Sequence, residues 1–274
     1  MRVRNVQKLE GCTVITAKPT EDILKNIQYN VNRPKREVSD LPEWRDNLPI
    51  AIVGGGPSLK DTIKNLADYK YVMVCGSAHD YVIRNSKCFI NYVVVCDPDE
   101  LVINYLQEKP SIDTKYLIAS QCDPKVFEHL KDERVHIWHS GGVNDNAVFG
   151  EGKLVLGGGC TVGTRAICMA LGLGFSKLHL YGFDTCLSMD FKHHAYDFND
   201  PEKETLGNIT EIALDGPNGK KFHVAGYMLG QLFDFQKLIG MYAHRMEVTV
   251  FGDGLLKHLM DLTQKKLLEA QNGN

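Results

Sequence analysis

The fold is decided by residues 50–59, IAIVGGGPSL, where a short apolar strand runs directly into three glycines and then into a helix. Glycine adopts positive φ readily and lets a bound group come close to the backbone. Ser58 is placed to cap the helix, and Pro57 keeps the helix from starting earlier. Free N–H groups at such a helix start suit a phosphate or a carboxylate. The stretch therefore predicts a strand–loop–helix unit with an anion-binding turn.

This glycine loop differs from two known phosphate-binding patterns. The third glycine of the dinucleotide-binding fingerprint would fall at position 59, which is leucine, and no Gly-Lys-Ser/Thr sequence follows. A plain tight turn is the alternative, but three consecutive glycines exceed what such a turn needs. The loop is interpreted as a nucleotide-binding loop made of Gly54, Gly55, Gly56, Pro57 and Ser58.

Short apolar runs alternate with helical patterns along the rest of the chain. The runs cover residues 50–53, 71–75, 89–96, 116–119, 135–138, 177–181 and 247–251. Helical spacing is found at 58–67, 78–85, 99–107, 124–129, 160–173, 227–243 and 255–269. This alternation is typical of an α/β fold, here a Rossmann-like, mainly parallel sheet flanked by helices. Residues 209–214 and 221–224 flank a glycine-containing turn, which predicts a β-hairpin insertion at about 208–225.

The chain divides into two parts. Residues 1–47 are interpreted as an N-terminal arm with a possible strand at 12–17 and a helix at 20–30, and residues 48–274 form the nucleotide-binding domain. The main domain is long enough to bury a sizeable core of its own.

Composition narrows the class of protein. The formal net charge is −3, so the chain lacks the basic excess that a duplex nucleic acid partner requires. No apolar run reaches the roughly 18–20 residues needed to span a membrane, and the start does not resemble a secretory signal. The eight cysteines form no C-x-x-C pair and most lie in apolar stretches, which predicts buried free thiols and a cytoplasmic location.

Acidic residues follow the apolar run of residues 93–96. In open α/β sheets, ligands lie outside the carboxyl ends of the strands. Asp97 is therefore a candidate for binding Mg²⁺, a ribose hydroxyl or an acceptor hydroxyl. Asp99 is a second candidate metal ligand, although it also suits the first turn of the next helix.

Two further segments offer site residues. Gly158, Gly159 and Thr161 precede an apolar helix and are candidates for lining the nucleotide pocket, the alternative being tight helix–sheet packing. Asp184 follows the strand predicted at 177–181, and His194 lies further along the chain. Both are candidate catalytic residues, and we favour His194 over its neighbour His193 as general base. The alternative is a solvated loop with surface histidines.

These features, in this order, resemble the MptE-like domain family. The quoted motifs are Ile-Val-Gly-Gly-Gly-Pro-Ser-Leu, a strand ending in Asp97, the helix start at 158–163, and Leu-Tyr-Gly-Phe-Asp followed by His-Ala-Tyr. The family includes archaeal 6-hydroxymethylpterin diphosphokinases and motility-associated-factor proteins linked to flagellin glycosylation. A more distant similarity connects the pattern to bacterial sialyltransferases, which often carry asparagine where this chain has Gly55. The resemblance covers residues 48–252.

The resemblance implies a nucleotide-dependent transferase. The leading hypothesis is Mg²⁺–ATP-dependent diphosphoryl transfer to the hydroxyl of a small, pterin-like acceptor, with Asp97 at the metal. The alternative is glycosyl transfer from a nucleotide sugar to a glycan or small-molecule acceptor, with His194 as base. A third possibility is a non-catalytic nucleotide-binding protein that keeps the fold.

Overall fold

A parallel sheet forms the centre of the computed structural model, which describes residues 19–33, 36–43, 47–141, 149, 153, 155–197, 209–214 and 219–272. The predicted strand at 12–17 and most of the predicted hairpin turn lie outside these residues. The strands of the sheet are β1 (Arg36–Glu37), β2 (Ile50–Val53), β3 (Tyr71–Cys75), β4 (Tyr92–Val95), β5 (Lys115–Ala119), β6 (Arg134–Ser140), β7 (Val155–Leu156), β8 (Lys177–Tyr181) and, after a hairpin, β11 (Glu247–Val250). The predicted α/β class with a mainly parallel sheet is confirmed.

The strand order explains where a ligand site belongs. The order across the sheet is β1-β6-β5-β4-β3-β2-β8-β11, and β7 also pairs with β6. The chain builds outward from β2 to β6 and then returns to place β8 on the other side of β2. Because the connections after β2 and β8 run in opposite directions, a crevice opens between the carboxyl ends of these two strands.

The helices cover the sheet and its edges. They are α1 (Thr20–Val31), α2 (Leu59–Thr62), α3 (His79–Asn85), α4 (Pro124–His129), α5 (Val162–Gly172), α6 (Gly226–Tyr242) and α7 (Leu255–Asn272). Helix α5 packs against β2, β3 and β4, and α6 packs against α5. The antiparallel hairpin is also confirmed, as β9 (Ile209–Ala213) and β10 (Lys221–Ala225).

Two predicted helices take a different form. The segment at 58–67 is α-helical only through α2 and continues as a 3₁₀ helix, Ile63–Asp68. Thr62 contributes to this change because its hydroxyl donates to the Ser58 carbonyl, which competes with the regular backbone ladder. The segment at 99–107 is a 3₁₀ helix, Glu100–Tyr105, whose first turn is capped by the Asp99 side chain.

Some strand bounds also differ from the sequence pattern. The predicted run at 89–96 is shortened to β4 because the Asn91 side chain accepts the Val72 N–H at 2.7 Å and takes the place of a strand contact. Strands β1 and β7 were not predicted, since each has two residues and neither can show an alternating pattern.

The helix of the N-terminal arm lies across the loops that follow β4 and β5. Asn26 donates to the carbonyls of Pro98 and Gln121 at 3.3 and 3.1 Å. Asn30 is fully buried and donates to the carbonyls of Ser120 and Cys122 at 2.9 and 2.8 Å. These bonds fix α1 at the carboxyl edge of the sheet, on the side away from β8.

Two expectations from composition concern the burial of the cysteines and the presence of a membrane-spanning helix. The cysteines of the described residues are free thiols, and four of them (Cys75, Cys96, Cys122 and Cys186) are buried as predicted. Cys160 is exposed, because it lies in the loop before α5 rather than inside that helix. Within the described part of the chain, no helix combines the length and the apolar character that crossing a membrane requires.

Replacing Asn30 with alanine tests the docking of the arm. We expect Asn30→Ala to lower the free energy of unfolding by about 2–4 kcal/mol, because two buried carbonyls lose their donor. Asn32→Ala is the matched control at the C-cap of the same helix, where the exposed side chain bonds the Gln28 carbonyl, and it should cost less than about 0.5 kcal/mol. Urea unfolding of both variants gives the comparison. Equal, small losses would mean that α1 contributes little to the stability of the domain.

Candidate active site

The glycine loop is held by the loop that follows β8. The Gly54 N–H donates to the Tyr181 carbonyl at 2.8 Å, and the Gly56 N–H donates to the Gly182 carbonyl at 2.9 Å. A Cβ on Gly54 would lie 2.8 Å from the Gly182 carbonyl oxygen, and Gly182 itself has φ +65°. The two loops therefore approach each other more closely than residues with side chains allow.

Asp184 fastens the start of α2 to the β8 loop. Its carboxylate Oδ2 accepts the Ser58 N–H at 2.9 Å, and its side chain is almost wholly buried. Burial raises the pKa of Asp184 above its ordinary value, while the hydrogen bond from Ser58 opposes the shift. In this position Asp184 shapes the glycine loop, and a Cβ on Gly56 would strike its carboxylate.

A crevice of about 340 Å³ opens between these loops and the starts of α5 and α6. Its lining has neither a lysine nor an arginine among the described residues, and Asp184 is its single carboxylate. The lining residues are Gly54, Gly55, Gly56, Cys75, Ser77, Thr161, Val162, Gly163, Gly182, Phe183, Asp184, Thr185, Cys186, His193, His194, Tyr227, Met228 and Gln231.

His194 sits over the middle of the glycine loop. Its Nδ1 lies 3.1 Å from the Gly55 carbonyl oxygen, and the Ala195 N–H donates to the same oxygen at 2.9 Å. A carbonyl only accepts, so Nδ1 carries the proton and Nε2 is the acceptor nitrogen of the ring. Burial, with a smaller contribution from His193, lowers the pKa of His194 to about 3. The imidazole is therefore neutral at physiological pH.

The second glycine cluster is shaped by helix α6. Gly158 and Gly159 have φ +128° and +93°, and a Cβ on Gly159 would lie 2.6 Å from that of Asp234. The Asp234 carboxylate accepts the Cys160 N–H at 2.7 Å. Thr161 caps α5 by accepting the Thr164 N–H at 3.3 Å, and it lines the crevice together with the first turn of that helix.

Asp97 and Asp99 lie two strands away, at the carboxyl end of β4, and do not line the crevice. Asp97 Oδ1 accepts the Asp99 N–H at 3.0 Å, and Asp99 Oδ1 accepts the Leu101 N–H at 3.0 Å. These bonds shape the turn into the 3₁₀ helix. In the part of the chain that the structure describes, no group of three His, Cys, Asp or Glu side chains is arranged to hold a metal ion.

Sequence reasoning missed several lining residues: Ser77, Thr185, Tyr227 and Gln231. Ser77 follows β3 as the glycine loop follows β2, so the strand-end rule could have found it. Thr185 has φ +52°, a conformation that no local motif announces. Tyr227 and Gln231 are four residues apart on the first turns of α6, and their place at the crevice follows from the packing of α6 against α5 and β10, which no local motif predicts.

A parallel α/β sheet with a glycine-lined crevice at its switch point defines a Rossmann-like fold with a candidate site at the carboxyl edge of the sheet. The chain belongs to the family described as 6-hydroxymethylpterin diphosphokinase MptE-like, which matches residues 21–190, more than half of the chain. The match begins inside α1, so it includes the arm helix and β1, which the sequence resemblance had left outside.

Solved structures are similar to this chain to different degrees. The MAf glycosyltransferase from Magnetospirillum magneticum AMB-1 has a TM-score of 0.67 at 21% identity, over 86% of this chain and 36% of that chain. This chain thus spans about a third of that protein. A mammalian sialyltransferase has a TM-score of 0.45 at 10% identity, over 86% and 79% of the two chains. The monofunctional α-2,3-sialyltransferase Cst-I from Campylobacter jejuni has a TM-score of 0.43 at 14% identity, over 81% and 82%. No curated protein matches the chain.

Gly56→Ala tests whether position 56 requires glycine because the β8 loop packs against it. The added Cβ would lie 2.6 Å from the Gly182 carbonyl oxygen and against the Asp184 carboxylate, so we expect a loss of about 1–3 kcal/mol in the free energy of unfolding. Gly157→Ala is the control, because nothing among the described residues lies within 4 Å of a Cβ there. Urea unfolding distinguishes them, and a Gly56→Ala protein as stable as the control would contradict the packing role.

Proposed function

We propose that the chain is a nucleotide-dependent transferase and that its reaction is glycosyl transfer from a nucleotide sugar. The observation that carries the proposal is a neutral histidine, His194, held over a glycine loop at the switch point of the sheet. The likeness to the MAf glycosyltransferase concerns the fold, so the reaction has to be argued from the side chains.

Backbone N–H groups provide the phosphate site in this proposal. Gly54, Gly56 and Ser58 use their N–H groups within the protein, whereas the Gly55 N–H has no partner among the described residues. Val162 and Gly163 line the same crevice, and their first-turn N–H groups have no acceptor within helix α5. A helix start and a glycine loop bind a phosphate without a basic side chain, in agreement with the composition of the lining.

His194 supplies the base. The acceptor hydroxyl oxygen attacks the anomeric carbon of the donor sugar, the bond from that carbon to the phosphate oxygen breaks, and the hydroxyl proton passes to Nε2. The nucleotide leaves with the bonding electron pair. Asp184 supports this chemistry by positioning the loop, and a general base of this kind contributes about 10²–10⁴-fold to the rate. Gly158, Gly159 and Thr161 act through the placement of the α5 start.

Diphosphoryl transfer is the second candidate, because the family description names a 6-hydroxymethylpterin diphosphokinase. That reaction uses Mg²⁺–ATP, and Mg²⁺ prefers carboxylate and water oxygens in an octahedral arrangement. The crevice does not fit this requirement among the described residues, since its one carboxylate is buried on Ser58 and Asp97 and Asp99 lie outside it. The donor set therefore favours glycosyl transfer.

A nucleotide screen by thermal shift tests the function. A ligand at a hundredfold excess over its Kd should add about 2.7 kcal/mol, which corresponds to a rise of about 5–10 °C for a domain of this size. We expect CMP, UDP or GDP sugars to give such a shift without Mg²⁺. A shift only with ATP and Mg²⁺ would favour the diphosphokinase, and no shift with any nucleotide would overturn the transferase proposal.

His194→Gln tests the base. We expect turnover with the donor found in the screen to fall by about 10²–10⁴-fold, with the donor's thermal shift retained, because the proton acceptor is lost and the phosphate site is kept. His244→Gln is the matched control, because His244 is exposed and does not line the crevice, and it should leave turnover within about twofold of the native value.

The pH dependence of kcat/KM is a second test of His194 as the base. Because the pKa of His194 is lowered to about 3, its neutral, proton-accepting form persists as the pH falls through the ordinary histidine value of about 6.5. The native kcat/KM should therefore show no acid limb near pH 6.5. An acid limb there that disappears in His194→Gln would contradict a neutral base.

A further inference from the structure

We propose that Tyr196 is the positioning residue that holds the His194 ring over the glycine loop. This inference rests on the proposed role of His194 as base. Tyr196 itself is not a proton acceptor, since burial raises the pKa of its hydroxyl and keeps the phenol neutral.

Ring packing fixes the orientation of His194. The Tyr196 and His194 rings are stacked, with centroids 4.9 Å apart and planes 10° apart. His193 meets His194 edge-on, with centroids 4.0 Å apart and planes at 84°. A face contact and an edge contact together leave the imidazole little freedom to rotate. Without the face contact, the ring would lose the contact that fixes the tilt of its plane, while the Nδ1 bond to Gly55 and the edge contact with His193 remain.

The same tyrosine accounts for the glycine at position 55. A Cβ there would strike the Tyr196 hydroxyl and would lie 2.8 Å from His194 Nδ1. The Ala195 N–H donates to the Gly55 carbonyl between them. Three consecutive residues, 194–196, thus contact Gly55. The Tyr196 hydroxyl occupies the volume that a side chain at position 55 would need.

Two further aromatic rings support Tyr196 from behind. Tyr81 of α3 lies 5.4 Å from it and Tyr105 of the 3₁₀ helix lies 6.3 Å from it, measured between ring centroids. These residues belong to the connections after β3 and β4. Tyr196 therefore ties the histidine segment, which follows β8, to the opposite half of the sheet edge, so the position of the base is set by both sides of the crevice.

The test is an NMR titration of the His194 C2–H resonance from about pH 4.5 to about pH 9, assigned by its loss in His194→Gln. Native protein and Tyr196→Phe, which keeps the ring, should show a neutral imidazole throughout. In Tyr196→Leu water reaches the freed ring, so its pKa should rise from about 3 to about 5 or above, which lies inside the titrated range. Tyr69→Leu is the control, because Tyr69 is a half-buried tyrosine that bonds another histidine, His179, outside the crevice. It should leave the His194 titration unchanged.

Kinetics supply the second reading. Tyr196→Leu should lower kcat by about 10–100-fold with the nucleotide thermal shift retained, and Tyr196→Phe should stay within about threefold of the native rate. If Tyr196→Leu does not fold, Tyr81→Leu removes the ring behind the tyrosine and should lower kcat by about 3–10-fold.

Unchanged titration and unchanged kcat in the folded leucine variant would overturn the inference. Its failure is distinguishable from failure of the proposed base, because the titration does not depend on activity. If His194→Gln retains full turnover, the assignment of His194 as the base is wrong. The NMR titration of the Tyr196 variants still tests whether the tyrosine fixes the His194 ring.

Discussion

Two backbone turns, one after β2 and one after β8, touch without any side chain between them, and the rest of the site depends on this contact. Two N–H···O bonds, from Gly54 and Gly56, join the turns directly. The Asp184 carboxylate adds a third bond at the start of α2. These bonds join the two turns on the protein side, and the crevice lies on their other side, with the first turn of α5 as its facing wall. A looser contact would leave the N–H groups of the loop without a defined direction.

Each glycine of the loop makes room for a different part of the protein. Gly54 makes room for the Gly182 backbone, Gly55 for the histidine and tyrosine of the β8 loop, and Gly56 for Asp184. The second cluster follows the same logic, since Gly159 makes room for Asp234. Packing within the protein thus explains the three glycines of the loop and Gly159. A run of glycines can therefore mark a place where several loops converge.

The sequence predicts well which residues form strands and helices. It predicts less well which of these strands and helices lie side by side in the fold. The strand at 50–53, its glycine loop and the hairpin could be read locally, because apolar runs and glycines act over a few residues. Whether Asp97 or Asp184 borders the loop is decided by strand order, which places β8 beside β2 and leaves β4 two strands away. The arm could not be assigned either, since Asn26 and Asn30 look like ordinary helix residues until their bonds to distant carbonyls are known. The position of each aspartate relative to the loop and the packing of α1 both depend on tertiary contacts, which leave no local pattern in the sequence.

The contact at Gly55 has a consequence for comparing relatives. A side chain at this position and the observed seat of the histidine segment exclude each other, since both would occupy the same volume. A protein of this fold with asparagine there must hold its histidine at a different height above the loop or bring it from another direction. The residue at position 55 thus distinguishes two arrangements of the histidine segment over the loop. Exchanging the loop alone between the two kinds of protein would displace the histidine segment, so the loop and the segment have to be transplanted together.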